Sequence, residues 1–134
     1  MKNGFSLLEL IFAILIIGII ASIAVPKFID SKDEALASTI KRDIVSATTA
    51  IQSYAMLDSS LTKIETAIIL SETNWNVVDG KATFNQNDKA CISLEIKVED
   101  STKSLIIDID ETSTSSVCTK LKDDYAVKDI TYKL

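Results

Sequence analysis

The feature that most constrains this chain is an apolar run of 22 residues, from Phe5 to Pro26, that contains a single charged side chain, Glu9. At about 1.5 Å of rise per residue, a helix of this length spans the roughly 30 Å hydrocarbon core of a bilayer. The run therefore predicts a transmembrane helix. A carboxylate inside it carries an insertion penalty of very roughly 3 kcal/mol, which predicts a functional role with a cationic partner.

The chain contains a candidate for that partner. If residues 1–4 were removed, the new α-amino group of Phe5 would lie one helical turn before Glu9. An α-amino group has an ordinary pKa near ~8 and is mostly protonated at neutral pH. Cleavage after Gly4 would therefore create a counter-ion for Glu9.

The segment Gly4-Phe5-Ser6-Leu7-Leu8-Glu9, with the apolar run and Pro26 behind it, resembles the N-terminus of type IV pilins and of the pseudopilins of type II secretion systems. The resemblance implies that a prepilin peptidase cleaves after Gly4 and methylates the new N-terminal Phe5. It also implies that Glu9 pairs with the α-amino group of a neighbouring subunit during filament assembly. The implied partners are identical or homologous subunits, the peptidase, an assembly platform in the bacterial inner membrane and, before assembly, the lipid bilayer.

Two other interpretations of the same segment remain open. Lys2 and the small-x-small pattern Ser22-Ile23-Ala24 are compatible with a secretory signal that is cut before Val25. Alternatively, the run is a plain signal anchor in which Glu9 is favoured by the helix dipole by roughly 0.3 to 1 kcal/mol. Either would make the protein a secreted or membrane-tethered periplasmic binding domain instead of a filament subunit.

Beyond Pro26 the helical pattern continues in amphipathic form to about Leu57. Apolar residues recur at spacings of three and four and trace one helical face: Leu36, Ile40, Ile44, Ala47, Ile51 and Tyr54. Gly18 and Pro26 weaken the helix, since a proline inside it costs about 3 kcal/mol, so a kink or a locally melted stretch is expected. The resemblance implies that packed filament subunits unwind there; a kink that only steers the helix is the alternative.

The residues after the long helix predict a short helix and then a hairpin. Thr62 and Glu65 have the spacing of a capping box, which predicts a second helix to about Ser71. Residues 75–84 read as two short strands joined by the two-residue turn Asp79-Gly80.

Alternating apolar and polar residues over 91–99 and 105–109 predict an antiparallel pair, and residues 130–134 predict an edge strand. The apolar face of this sheet is expected to pack on the helical stripe, because neither surface is stable in water alone. The fold class predicted is α+β and pilin-like, a long N-terminal helix packed against a small antiparallel sheet. The chain then divides into a leader (1–4), a long helix (5–57, with the transmembrane and assembly segment 5–26) and a globular domain (58–134) in the periplasm.

Two cysteines, Cys91 and Cys118, lie outside the apolar run. In a small exported domain an even number of cysteines favours a disulfide, which for this spacing contributes roughly 3 to 4 kcal/mol in the loop-closure relation. Such a bridge would hold the polar segment 111–116 on the sheet. Two unrelated buried thiols are the alternative.

Composition argues against several function classes. The chain has no histidine, which removes the usual general base and the commonest metal ligand, and it has no glycine-rich phosphate loop, so neither an enzyme nor a cofactor is predicted. The net charge is −5; without Lys2 it is 13 basic against 19 acidic side chains, or −6. This balance argues against direct binding of nucleic acid, although another subunit of a DNA-uptake filament could hold DNA.

An acidic group at Asp108, Asp110 and Glu111 offers oxygen ligands of the kind that calcium takes, and major pseudopilins carry a calcium site. Asp108 and Asp110 fall on the strand face opposite the apolar residues, however, which favours a solvated face. No metal is predicted.

Overall fold

The computed structural model describes residues 4–134, and residues 1–3 of the predicted leader lie outside the described residues. The described chain forms three helices, α1 (Leu7–Leu57), α2 (Ile64–Ala67) and α3 (Ser116–Asp123), and five strands, β1 (Trp75–Val78), β2 (Lys81–Gln86), β3 (Lys89–Glu99), β4 (Thr102–Ile109) and β5 (Ile130–Lys133). The predicted α+β, pilin-like architecture is confirmed, including the end of the long helix at Leu57.

The first compact unit ends at Asp33 and consists mainly of the N-terminal part of α1. None of its described residues is buried, and α1 is long and apolar enough to cross a membrane by length and composition. Inside this apolar stretch the Ser22 hydroxyl donates a hydrogen bond of 2.7 Å to the carbonyl oxygen of Ile19, so the helix satisfies its own polar side chain. The exposed apolar surface of this part of α1 is suited to contact with lipid or with the helices of other protein chains.

Helical structure runs through Gly18 and Pro26 without interruption. A side chain at Gly18 would meet no atom within 4 Å, so nothing in the single chain requires glycine at that position. The predicted unwinding of the helix between Gly18 and Pro26 applies to subunits packed in a filament, so it stays a prediction.

The second compact unit, Glu34–Leu134, contains the C-terminal part of α1 and the whole sheet. The strands lie in the order β1-β2-β3-β4-β5, each antiparallel to its neighbour. Asp79 and Gly80 have φ values of 50° and 83°, the left-handed conformation of a type I′ turn that matches the twist of a hairpin. The predicted hairpin, antiparallel pair and edge strand are confirmed.

The core of this unit lies between α1 and one face of the sheet. Helix α1 buries Ala37, Ile40, Ile44, Ala47 and Ile51, and the three central strands bury Ala82, Phe84, Ile92, Leu94, Ile96, Leu105, Ile107 and Ile109. The predicted helical stripe is therefore confirmed, with Leu36 and Tyr54 partly buried at its two ends. Val98 continues the alternation but is 49% exposed, because it lies near the turn to β4 and beyond the core.

The predicted second helix and its cap are wrong in detail. Helix α2 covers only Ile64–Ala67, its N-cap residue is the extended Lys63, and no side chain makes a cap hydrogen bond, so Thr62 and Glu65 do not form the capping box. Leu61 and Ile64 are both buried, and this anchoring of the chain fixes where the short helix begins.

Helix α3 was not predicted at all. Its apolar residues Val117, Cys118 and Leu121 are buried on one face, and Lys120 and Lys122 occupy its last turn, where cations suit the helix dipole. The spacing of these apolar residues is typical of a helix. The helix covers only eight residues and follows a polar loop, however, so the signal in the sequence is weak.

Candidate functional site

The predicted processing site lies just before α1. Gly4, Phe5 and Ser6 precede the first helical residue, and all three are exposed. The peptide bond between Gly4 and Phe5 is therefore in non-helical, accessible chain, which is the kind of segment that proteases cut.

Ser6 caps the long helix. Its Oγ accepts a hydrogen bond of 3.2 Å from the backbone N–H of Glu9, which satisfies one of the donors that a helix start leaves free. Ser6 and Glu9 also have the spacing of a capping box, in which a glutamate or glutamine belongs at the second position. The Ser-x-x-Glu spacing signals this cap in the sequence, although the cap is not among the predicted features, and the hydrogen bond engages the backbone of Glu9 and not its carboxylate.

The Glu9 side chain is exposed in the first turn of α1. Within residues 4–134, no basic side chain forms an ion pair with it. The helix start supplies a partial positive charge worth less than the insertion penalty of a carboxylate. Within residues 4–134, Glu9 is therefore an acidic group near the head of an apolar helix without a basic side chain as its partner.

The two cysteines form the predicted disulfide. Cys91 lies in β3 and Cys118 in α3, both are buried, and their Cα atoms are 5.8 Å apart. A side chain supports the same junction, because Gln86 Oε1 of β2 accepts a hydrogen bond of 3.0 Å from the backbone N–H of Val117 near the start of α3. The bridge and this bond together fasten α3 to the sheet.

The loop before α3 is held by its own polar groups. Asp110 Oδ1 accepts hydrogen bonds from the hydroxyl and the backbone N–H of Thr112, at 2.6 and 2.8 Å, and these bonds lower the pKa of the Asp110 carboxyl below its ordinary value. Lys122 of α3 donates to the carbonyl oxygens of Glu111 and Ser113 at 3.1 and 3.0 Å. The disulfide-bounded loop is thus an ordered surface.

The acidic residues weighed as calcium ligands do not converge. Asp108 and Glu111 are exposed, and the Asp110 carboxylate is engaged by Thr112. Across the described part of the chain, no group of three or more acidic, cysteine or histidine side chains is placed to hold a metal ion.

Three polar contacts join α1 to the rest of the globular unit and have no signal in the sequence. The Tyr125 hydroxyl donates 2.7 Å to Glu34 Oε1, and Lys120 Nζ lies 3.2 Å from Glu34 Oε2. The bond to Glu34 raises the pKa of Tyr125. In the edge strand β1, the buried Trp75 donates from Nε1 to Asp43 Oδ2 at 2.9 Å.

Comparison with known proteins supports the interpretation of the N-terminus. Residues 1–25 match the family model described as a prokaryotic N-terminal methylation motif. The chain is also 41% identical over 59 residues to the type II secretion system core protein G of Klebsiella michiganensis, an alignment that covers 44% of this chain. The chain spans 41% of the length of that relative. No solved structure matches the chain. The two similarities confirm the predicted resemblance to type IV pilins and pseudopilins, which are structural subunits.

Proposed function

We propose that this chain, which carries a pilin-type N-terminal methylation segment, is a structural subunit of an inner-membrane-anchored filament, either a type IV pilus or a type II secretion pseudopilus. The observation that carries the proposal is the match of residues 1–25 on a segment whose Glu9 lies at the head of an exposed apolar helix. The name of the relative favours a pseudopilus that acts in protein secretion. A DNA-uptake filament is a further member of the same class, and this subunit, with a net charge of −5, is not expected to bind nucleic acid itself.

The subunit begins as a single-pass protein of the bacterial inner membrane, with residues 5–26 in the bilayer and the globular unit in the periplasm. The Cys91–Cys118 disulfide supports this location of the globular unit, because disulfides form in oxidising compartments such as the periplasm. A prepilin peptidase then hydrolyses the bond between Gly4 and Phe5 and methylates the new N-terminus.

Assembly with identical or homologous subunits, guided by an assembly platform, brings the apolar helices together. In this arrangement the carboxylate of Glu9 pairs with the α-amino group of Phe5 on a neighbouring subunit. Pairing compensates a charge that costs very roughly 3 kcal/mol in an apolar surrounding, and only one axial register places the two groups together. Glu9 thereby contributes register as well as attraction.

Processing is tested by the intact mass and N-terminal sequence of the protein from membranes of cells that carry a prepilin peptidase. We expect a chain that starts at methylated Phe5. A chain that starts at Val25 would mean a secreted domain, and an uncut chain would mean a plain membrane anchor; either result contradicts the proposal.

Assembly is tested with Glu9→Gln, which keeps a residue that suits the capping box and removes only the charge. We expect normal processing and loss of sedimentable filaments. Ser6→Ala is the matched control, because it removes the cap hydrogen bond at the same helix end and leaves the charge in place; filaments should persist. Normal assembly of the Glu9→Gln variant would show that the carboxylate does not set the register, whereas absence of filaments from the wild-type protein as well is what a membrane-tethered binding domain predicts.

A further inference from the structure

We propose that the open edge of β1 binds an extended peptide segment of another protein, and that this segment carries a basic side chain. The peptide lies beside β1 as a further strand of the sheet, a mode of recognition in which main-chain hydrogen bonds supply affinity and side chains supply specificity. The site belongs to the globular unit, Glu34–Leu134. It adds a binding activity to the proposed filament function and does not depend on it.

The backbone of β1 offers hydrogen bonds on the side that faces away from β2. In the described chain β1 is the first strand of the sheet and pairs with β2 alone. Hydrogen-bonded and non-hydrogen-bonded pairs alternate along an antiparallel ladder, and the pair that closes the two-residue turn, Val78 and Lys81, is a hydrogen-bonded one. Val77 therefore directs its N–H and C=O groups outward. Among the described residues neither group has a backbone partner outside the sheet, so both can pair with an added strand.

The strand lacks the features that commonly protect a sheet edge. Edge strands are usually protected by charged side chains, by proline or by a bulge. The four residues of β1 include no charged side chain and no proline, and the pairing of β1 with β2 has no shift in register. The other edge strand, β5, contains Lys133. β1 is therefore the edge that is better suited to accept a strand.

An open groove of about 540 Å³, here called the β1-edge groove, lies beside β1 and β2. Its uncharged polar side chains are Thr73, Asn74, Asn76, Thr83 and Asn85. Within the described part of the chain, no hydrogen bond engages the side-chain amides of the three asparagines. An amide side chain both donates and accepts, which suits the N–H and C=O groups of a peptide backbone. Ile69, which is 94% exposed, adds apolar surface for a peptide side chain.

The charge of the β1-edge groove selects among peptides. Its charged side chains are Glu65 and Glu72, both exposed, and neither forms an ion pair within the described residues. Two carboxylates favour a lysine or an arginine on the bound segment and disfavour acidic peptides and nucleic acid. Because both glutamates are exposed, each contributes modestly to affinity. The charges therefore supply selectivity, and the backbone of β1 supplies most of the binding.

Peptide titration of the isotope-labelled, processed, full-length protein in detergent tests the site by NMR spectroscopy. The probe is an acetylated and amidated pentapeptide, threonine-valine-lysine-valine-threonine. We expect saturable shifts of the Val77 backbone amide and of the side-chain amides of Asn76 and Asn85. The same peptide methylated on every backbone nitrogen has no N–H to donate, and it should bind about tenfold more weakly or not at all.

Variants of the protein separate the backbone contact from the charge. Val77→Pro removes the outward N–H and keeps the pairing with β2, since proline is tolerated in an edge strand where the N–H faces away from the sheet, and it should weaken the peptide about fivefold. Glu65→Gln and Glu72→Gln together should have a similar effect, about fivefold. Glu99→Gln is the matched control, because Glu99 is exposed near the β3–β4 turn and does not line the groove. Thermal unfolding followed by Trp75 fluorescence shows that each variant is folded.

Three results would overturn the proposal. The first is equal binding of the N-methylated peptide, and the second is equal binding of a pentapeptide with glutamate in place of lysine. The third is a shift of the same signals when the protein alone is diluted, which would assign the β1 edge to a second copy of the chain. None of these results bears on the filament function, which the Glu9→Gln variant tests separately.

Discussion

Reducing the Cys91–Cys118 disulfide should lower the free energy of unfolding of the globular unit by about 3.6 kcal/mol. The bridge has a sequence separation of 27, and for a loop of that size the closure relation gives an entropy change of about −12 cal/mol/K. The unit covers residues 34 to 134, or 101 residues, and unfolding entropies average about 2.1 cal/mol/K per residue. The corresponding fall in Tm is roughly 17 °C.

The chain has a built-in probe for this measurement. Trp75 is its only tryptophan, it is 2% exposed, and its ring lies 6.1 Å from that of Phe84. Its fluorescence should therefore report unfolding of the sheet in the full-length protein in detergent, with and without reductant. A Cys91→Ala/Cys118→Ala variant separates the effect of the cross-link from the effect of packing. Compared with the reduced wild type, this variant loses only the buried sulfur atoms, and each methyl-sized void that they leave should lower the free energy of unfolding by about 1 kcal/mol.

Two results would refute the reasoning. If reduction shifts the Tm by less than about 4 °C, the cross-link does not limit the unfolded chain as the closure relation assumes. If the loss appears only in the alanine variant, the sulfur atoms stabilise the unit by packing, and the link between β3 and α3 is incidental.

Three further perturbations address single contacts. Asp43→Ala leaves the buried Nε1–H of Trp75 without its acceptor and should cost about 1 to 3 kcal/mol in denaturant unfolding, whereas Asp43→Asn, which keeps an acceptor, should cost less; equal losses would contradict this. Gly80→Ala should cost about 1 to 2 kcal/mol in the same assay, because φ is 83° and the new Cβ would lie 3.3 Å from a lysine side chain; an unchanged midpoint would refute the strain. Spectrophotometric titration should show that the pKa of Tyr125 lies above the ordinary tyrosine value of about 10, and Glu34→Gln should lower it. Because the folded-state pKa of this phenol is raised, its contribution to stability is complete below the ordinary value of about 10 and is lost as pH rises through the raised pKa.

The sequence predicts the parts of this fold that are governed by local periodicity. Spacings of three and four locate the buried face of α1 up to Tyr54, and strict alternation locates β3 and β4. The turn at Asp79-Gly80 is predicted because few residue pairs adopt two successive left-handed conformations at low cost. In each case a handful of neighbouring residues determines the local structure.

The remaining features depend on partners that are far away in sequence. Tyr125 and Glu34 are 91 positions apart, and Gln86 meets Val117 across 31. Nothing near either residue indicates which partner it will meet. Helix α3 is missed for a related reason, because so short a helix is marginal by itself and is stabilised here by burial and by the disulfide.

The N-terminal site, in contrast, is largely recognisable from the sequence. Gly4, Phe5 and Glu9 are recognisable from a short motif, and in the structure the bond that is predicted to be cut precedes the helix. The cap from Ser6 is a further part of this site and engages only the backbone N–H of Glu9.

The order of the strands has a consequence for how the protein reaches this fold. Every strand after β1 pairs with the strand that precedes it in the chain, so β1 to β4 can be built by successive hairpins, each of which forms in about 1 to 10 μs, and β5 joins across residues 110–129, which contain α3. The apolar stripe of α1 lies earlier in the chain than all of them and offers each hairpin a surface on which to collapse. Pairing can therefore proceed from the N-terminal side of the sheet, and only the outer edge of β4 stays open until residues 130–133 are present.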